Sequence, residues 1–218
     1  MKIHGHPFSP SIEILESRIA PAAITFTDFE GDLVKITISN GSADEITAAA
    51  HIAGGHLQEL DLASNPIFDG ANVTIEVGGG AGNGTADVGF LNAKGLDLGV
   101  VHIAGDLGRI KAGDTNTTDG SVSQLSVATM GARGIATQTA GGNLKSAFVG
   151  KLGSLNSTGS LKGVGIHVSG GIFDLDGQIG SIDIGGDLVG GAGERSGTIY
   201  AKGAIGTALK FGRNGSIP

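Results

Sequence analysis

Short apolar runs that alternate with polar residues recur along the second half of the chain. Five of them approximate one pattern, in which Leu or Ile is followed by two more alternating apolar positions and a glycine, and they begin at Leu98, Leu125, Leu152, Ile179 and Ile205. Alternation of this kind predicts β-strands with one buried face. The starting positions are almost evenly spaced, at roughly 27 residues, and a fixed period of roughly 20 to 50 residues is typical of a repeat architecture.

A shorter period of nine residues lies inside each repeat, for example from Leu98 to Leu107 and from Leu152 to Leu161. Each run ends in Gly, Asp or Asn, which indicates a strand followed by a corner. A third strand per repeat is predicted at 144–149, 172–175 and 198–201. We therefore predict an all-β protein, a right-handed, three-faced parallel β-helix (a solenoid) with about 27 residues per coil.

Stacked coils would place equivalent residues above one another, about 4.8 Å apart. Two columns are predicted to face inward, and one polar column is predicted to face outward. The inward columns are Leu98, Leu125, Leu152, Ile179, Ile205 and Val101, Ala128, Leu155, Ile182, Ala208; the outward column is His102, Thr129, Asn156, Asp183, Lys210. Because the outward column is chemically varied, it does not resemble a metal ladder or an ice-binding face.

Three regions follow from these patterns. Residues 1–23 form an export- or targeting-like segment with a short helix over 12–23 that ends at Pro21. Residues 24–97 are predicted to be less regular coils of the same solenoid, with a first strand at 24–29 and the preceding helix as a cap. Residues 98–218 are the regular coils, and the last coil is incomplete. That unfinished edge predicts either association with another molecule or a chain that is a fragment of a longer protein.

Composition narrows the classes of function. The chain has 41 glycines, 5 prolines and no cysteine; glycine suits tight corners, and the lack of cysteine excludes disulfides and thiolate metal sites. The net charge of -7, from 21 acidic and 14 basic residues, argues against nucleic acid as a partner. No apolar stretch is long enough to predict a membrane-spanning helix.

The run LESRIAPA at 15–22 has the form Leu-Glu-x-Arg followed by Pro. It resembles a short N-terminal element of large extracellular proteins of planctomycetes and verrucomicrobia, where the element precedes long, glycine-rich, repetitive chains. The resemblance is confined to this run and implies an extracellular or cell-surface location. An ordinary secretory signal peptide is not predicted, because residues 1–25 have no apolar core.

A glycine-rich stretch at 78–90 offers the only metal site that we consider. It resembles the calcium-binding nonapeptide of secreted repeat-toxin proteins, and Asn83 and Asp87 would be the calcium ligands. Calcium requires six to eight oxygen ligands, and the stretch is a single, imperfect copy. A flexible glycine-rich loop is the alternative interpretation.

Acidic residues two apart on a strand share one face, so Asp28, Glu30 and Asp32, and separately Asp174 and Asp176, could supply paired carboxylates for carbohydrate cleavage. The same pattern also describes any strand with one solvated face. Six scattered histidines, at 4, 6, 51, 56, 102 and 167, are interpreted as surface residues.

We therefore expect a noncatalytic structural or adhesion protein outside the cell, with polysaccharides or other surface proteins as partners and no cofactor. The alternatives are a carbohydrate-active β-helix enzyme, a lyase or a hydrolase, and a calcium-stabilised secreted repeat protein.

Overall fold

The computed structural model describes residues 21–116, 120–171 and 176–212. Within them the protein is mostly β-strand, with one α-helix and two 3₁₀ turns, so the all-β prediction is confirmed. The helix is α1 (Ala43–Ala49), and the 3₁₀ turns are Leu62–Ser64 and Pro66–Phe68. The strands are β1 (Ala22–Thr27), β2 (Asp32–Ile38), β3 (Ala50–Ala53), β4 (His56–Asp61), β5 (Ala71–Gly80), β6 (Val88–Lys94), β7 (Leu98–Gly113), β8 (Val122–Met130), β9 (Lys145–Val149), β10 (Leu152–Ser157), β11 (Leu161–Lys162), β12 (Gly165–Ser169), β13 (Ile179–Ile184), β14 (Leu188–Val189), β15 (Thr198–Ala201) and β16 (Ile205–Phe211).

All these strands belong to one mixed sheet. The N-terminal strands are antiparallel: β1 pairs with β2, β2 with β5, and β3 with β4. Parallel pairing begins where β4 meets β6 and β5 meets β7. The prediction of stacked coils throughout 24–97 is therefore wrong for β1, β2 and β3, because stacked coils pair their strands in parallel.

A tight turn between β1 and β2 explains the reversal. The side chain of Asp28 accepts hydrogen bonds from the backbone N–H of Glu30 at 2.9 Å and of Asp32 at 2.8 Å. Gly31 has a φ of 95°, a left-handed conformation that glycine adopts without steric cost. The first strand consequently ends at Thr27, before the predicted end at position 29.

Helix α1 was not predicted from the sequence. Ser42 and Glu45 form a capping box, in which the Glu45 carboxylate accepts from the Ser42 backbone N–H at 2.8 Å and the Ser42 hydroxyl accepts from the Glu45 N–H at 3.3 Å. The Ser42 hydroxyl also donates to Glu45 Oε2 at 2.9 Å. This hydrogen bond, followed by the one from the Ser42 backbone N–H, lowers the pKa of Glu45. Ile46 and Ala49 are buried against the sheet, so the helix covers one end of the core.

The first parallel ladder runs through β5, β7, β8, β10, β13 and β16. Leu152 pairs with Ile179 and Leu155 with Ile182, and each pair is separated by one predicted repeat. At β8, however, Val122 and not Leu125 pairs with both Leu98 and Leu152. The interval between paired positions is thus shorter than the predicted repeat before β8 and longer than it after β8.

The consequences for the predicted columns are local. Leu125 pairs with Val101 and Leu155, in place of Ala128, and Ser126 replaces Thr129 between His102 and Asn156. At the far end Leu209 pairs with Ile182, while Ala208 pairs with Ser181 beside an irregularity in the ladder. Because Val122, Leu125 and Val127 are all aliphatic, either register buries apolar side chains, and the hydrophobic pattern did not distinguish them.

A second parallel ladder contains β4, β6, the C-terminal half of β7, β9, β12 and β15. The predicted strand at 198–201 is confirmed as β15, and the one at 144–149 is β9, which begins at Lys145. The predicted strand at 172–175 lies outside the described residues. A short third ladder pairs Leu107 with Met130, Met130 with Leu161, and Leu161 with Leu188.

The inward faces of the ladders form one core of Ile, Leu and Val, in which Leu125, Leu152 and Ile179 are all buried. Ser146 is a polar exception in the second ladder. Its hydroxyl accepts a hydrogen bond from the backbone N–H of Ile110 at 3.1 Å, which satisfies both buried groups.

Among the described residues, no helix has the length and apolar character needed to cross a lipid bilayer. Most of the stretch 12–23, for which a short helix stopped by Pro21 is predicted, lies outside the described range. Ala22 and Ala23, which follow Pro21, are in β1. The predicted unfinished edge at 213–218 also lies outside that range.

Candidate functional site

A surface cavity of about 740 Å³ lies on the outer face of β9, β12 and β15. We name it the β15 groove and define it by Lys145, His167, Glu194, Arg195, Tyr200 and Lys202. A smaller cavity of about 280 Å³ shares Lys145 and Glu194 with it and adds the apolar side chains of Ile135 and Leu144. The two cavities together form one continuous concave surface.

Two aromatic rings form the floor of the β15 groove. His167 on β12 pairs with Tyr200 on β15 in the parallel register, and parallel strands hold paired positions about 4.8 Å apart. The rings are stacked, with centroids 5.2 Å apart and an angle of 21° between their planes. Tyr200 is 51% exposed, so about half of the tyrosine side chain in this stack is open to solvent.

Charged residues surround this aromatic stack. Lys145 Nζ lies 3.5 Å from Glu194 Oε2, and both side chains are largely exposed, at 59% and 79%. Arg195 and Lys202 add two more positive charges. Among the described residues that line the groove, three are cationic and Glu194 is the one carboxylate, whereas the whole protein carries -7.

The segment between β14 and β15 shapes one wall of the groove. The Ser196 hydroxyl donates to the Gly191 carbonyl at 2.6 Å and accepts from the Gly191 N–H at 2.7 Å. The Thr198 hydroxyl donates to the Arg195 carbonyl at 2.7 Å. Arg195 has a φ of 56°, and it is the single non-glycine residue with positive φ in the part of the chain that the structure describes.

On the next strand of the same ladder, Lys111 of β7 pairs with Ala147 of β9. Its neighbour Arg109 is directed elsewhere, since the guanidinium carbon lies 3.8 Å from the centre of the Phe90 ring. Burial lowers the pKa of Arg109, and the nearby Glu59 carboxylate partly offsets that effect. Lys111 is therefore in line with Ala147, His167 and Tyr200 on neighbouring strands of the ladder.

A second cavity, of about 160 Å³, is lined by Asp28, Phe29, Glu30, His56, Asp87 and Arg133, among others. Phe29 and His56 are stacked with centroids 5.1 Å apart. Arg133 donates to Asp87 Oδ2 at 2.7 Å and to both Glu30 oxygens at 3.1 Å. The neighbouring carboxylate of Asp87, which has the largest effect, and the carboxylate of Glu30 raise the pKa of Arg133.

The predicted calcium ligands lie beside this cavity and contact protein groups. Asp87 Oδ1 accepts from the Asp106 N–H at 2.8 Å, and Oδ2 is paired with Arg133. Asn83 Oδ1 accepts from the Thr85 N–H at 2.8 Å, and its amide group donates to Glu30. A calcium ion at Asp87 would therefore have to displace a guanidinium group.

The predicted acidic set is separated by the fold. Asp28 and Glu30 line the second cavity, whereas Asp32 is buried and accepts from the backbone N–H of Gly82 at 2.9 Å and of Gly84 at 2.7 Å. Asp32 thus anchors the glycine-rich loop. Of the other pair, Asp174 lies outside the described residues, so its relation to Asp176 stays a prediction.

The histidines do not form a cluster. His4 and His6 lie outside the described residues, while His51 and His56 are on paired strands at different positions. Among the described residues, no group of three His, Asp or Glu side chains could hold a metal ion.

Sequence reasoning identified β15 as a strand but missed the groove. Ala147, His167 and Tyr200 are neighbours in one ladder, yet the chain between Ala147 and His167 is much shorter than the chain between His167 and Tyr200. These unequal intervals conceal the alignment, because the connecting segments differ in length. A direct comparison of the three strand segments, without the assumption of a fixed period, could have revealed this alignment.

Comparison of the chain with protein-family models, with curated proteins and with solved structures found no match in any of the three.

Proposed function

We propose that this protein is a noncatalytic β-solenoid, a right-handed three-faced parallel β-helix, that serves outside the cell as a structural or adhesion segment. The observation that carries the proposal is the parallel pairing of equivalent aliphatic positions from β5 through β16, at intervals whose average is close to the repeat seen in the sequence. Two further parallel ladders supply the other faces.

The handedness rests on a general rule. Connections between parallel strands of one sheet are right-handed in about 98% of cases. Stability of such a stack comes from contacts between neighbouring coils, because no single coil can bury its own apolar face. A long, rigid surface of this kind suits a scaffold that presents side chains at regular intervals.

The extracellular assignment rests on the resemblance of 15–22 to the N-terminal element described above, together with the glycine-rich repetitive chain that follows it. Composition is compatible, since the protein is acidic and its described surface is rich in polar side chains. The proposed partners are surface polysaccharides or other surface proteins.

The noncatalytic role rests on the chemistry of the β15 groove. Glycoside hydrolysis normally needs two carboxyl groups on either side of the scissile bond. Of the described residues that line the groove, Glu194 is the only carboxylate, and it is ion-paired with Lys145.

The location is tested by treating intact cells of the source organism with a protease and following the protein with a specific antibody. We expect the protein to be degraded on intact cells at the same rate as after lysis. Protection until lysis would contradict the extracellular role. A cytoplasmic protein of the same organism serves as the control for cell integrity.

The noncatalytic role is tested by incubating the purified protein with polygalacturonate, alginate and chondroitin sulfate, with and without calcium. We expect no new reducing ends and no unsaturated products. Release of oligosaccharides would overturn this part of the proposal and favour a polysaccharide lyase or hydrolase.

A further inference from the structure

The β15 groove joins two features that rarely coincide on an acidic protein: an exposed aromatic stack and a local excess of positive charge. We propose that the groove binds an acidic polysaccharide. A sugar ring would pack on the His167–Tyr200 stack, and Lys145, Arg195 and Lys202 would face the carboxylate or sulfate groups. This inference rests on the proposed surface function and names the partner class for it.

The aromatic stack fits a sugar ring by shape. The C–H groups on one side of a pyranose form a flat apolar patch, and the half-exposed Tyr200 ring, which is stacked on His167, offers a flat surface of matching character. The sequence contains one Tyr and no Trp, and that Tyr is half-exposed at this position. Exposed aromatic rings with a polar tip favour binding surfaces, because the ring packs and the hydroxyl hydrogen-bonds.

The positive charge is held in place by the local backbone. Arg195 is in the left-handed region, which non-glycine residues seldom adopt and which is often associated with functional sites. The hydrogen bonds of Ser196 and Thr198 hold this segment in place. Lys145 on β9 reaches the same segment, since its Nζ lies 3.5 Å from Oε2 of Glu194, the neighbour of Arg195. An anionic ligand at this end of the groove would therefore meet both Lys145 and Arg195.

A polymer fits better than a single sugar. The groove crosses β9, β12 and β15, whose paired positions repeat about every 4.8 Å, and Lys111 on β7 is in line with His167 and Tyr200. A linear chain that lies across the strands would meet successive side chains at a regular spacing. The groove volume, about 740 Å³, is in the range of ordinary ligand sites.

Nucleic acid shares the anionic character but fits less well. Binding of a phosphate backbone depends on many neutralising contacts, and this protein is acidic overall. We therefore include an oligonucleotide as a test case and not as a second proposal.

The test measures the affinity of the full chain for four probes by isothermal titration calorimetry: polygalacturonate (carboxylated), chondroitin sulfate (sulfated), dextran (neutral) and a single-stranded oligonucleotide. We expect at least one acidic polysaccharide to bind at least tenfold more tightly than dextran and the oligonucleotide. The comparison of the first two probes identifies the acidic group. Binding should weaken as salt is added.

Variants assign the binding to the groove. Tyr200→Ala should weaken it about tenfold, Tyr200→Phe should retain most of it, and Lys145→Gln or Arg195→Gln should weaken it and reduce its salt dependence. His51→Ala and Lys151→Gln are matched controls, because both residues are exposed and lie outside the groove. Circular dichroism and thermal melting establish that each variant is folded.

The inference is overturned if neither acidic polysaccharide binds, if dextran or the oligonucleotide binds equally well, or if folded Tyr200→Ala binds like the original chain. Each of these results leaves the surface-scaffold function intact, which the protease experiment tests separately. Release of oligosaccharides would instead overturn the noncatalytic role while leaving the binding site in place.

Discussion

At the scale of single residues, buried carboxylates hold loops in place. Asp106 is 4% exposed and accepts hydrogen bonds from the Thr129 hydroxyl at 2.7 Å, the Ala132 N–H at 2.9 Å and the Arg133 N–H at 3.0 Å. Asp32 has the same role for the loop at Gly82 and Gly84. Asp32, which the sequence suggested as one of a set of carboxylates for carbohydrate cleavage, therefore satisfies backbone donors in the fold.

Replacing Asp106 by Ala should lower the free energy of unfolding by about 2–3 kcal/mol, because hydrogen bonds to a charged group are lost and their donors stay partly buried. Urea denaturation followed by circular dichroism measures the change. Asp187→Ala is the control, since Asp187 is exposed, and it should change stability by less than about 0.5 kcal/mol. Equal effects of the two substitutions would contradict the anchoring role.

At the scale of elements, a column of glycines follows the first ladder. A Cβ added to Gly153 would overlap the carbonyl oxygen of Ser123, one at Gly180 would overlap that of Gly153, and one at Gly206 would overlap that of Gly180. The glycines that follow Leu152, Ile179 and Ile205 are therefore required by the close approach of neighbouring strands. Glycine occurs at these positions because the backbone of the neighbouring strand is close, and not because the chain turns there.

Gly180→Ala should consequently destabilise the protein by about 1–3 kcal/mol, the usual cost of overpacking, as measured by thermal or urea unfolding. Gly193→Ala is the matched control, because the nearest atom to its added Cβ is 3.9 Å away and no positive φ is involved. If both variants were equally stable, β10 and β13 would not approach as closely as described.

At the scale of the whole molecule, Arg133 connects three distant parts of the chain. It pairs with Glu30 after β1 and with Asp87 before β6, and its own backbone is held by Asp106. The antiparallel N-terminal strands are thereby linked to the parallel ladders. The Arg133 side chain is 40% exposed, which limits what each ion pair can contribute.

Arg133→Gln should lower the free energy of unfolding by about 1 kcal/mol or less at low salt, as expected for partly exposed ion pairs. The difference from the original chain should shrink in molar salt, which screens such charges. Lys210→Gln removes a more exposed pair with Asp183 at 3.7 Å and should have almost no effect. A loss of unfolding free energy that does not depend on salt would show that Arg133 stabilises the protein through packing and not through its charge.

The sequence by itself determined the all-β class, the position of most strands and the mean length of the repeat, because alternation and glycine corners are local properties of the chain. It also placed Leu152, Ile179 and Ile182 among the buried positions, as the structure has them. These inferences required no knowledge of which strands meet.

Only the tertiary structure decided which strands pair and in which direction. The hairpin at Asp28 makes β1 and β2 antiparallel, and the aliphatic run of β8 is compatible with two registers, of which the fold adopts one. His167 and Tyr200 meet although β13 and β14 lie between them in the chain, because the intervening segment returns to the same ladder. Side chains on strands that are joined by connections of unequal length come together through strand pairing, and strand pairing is a property of the assembled sheet.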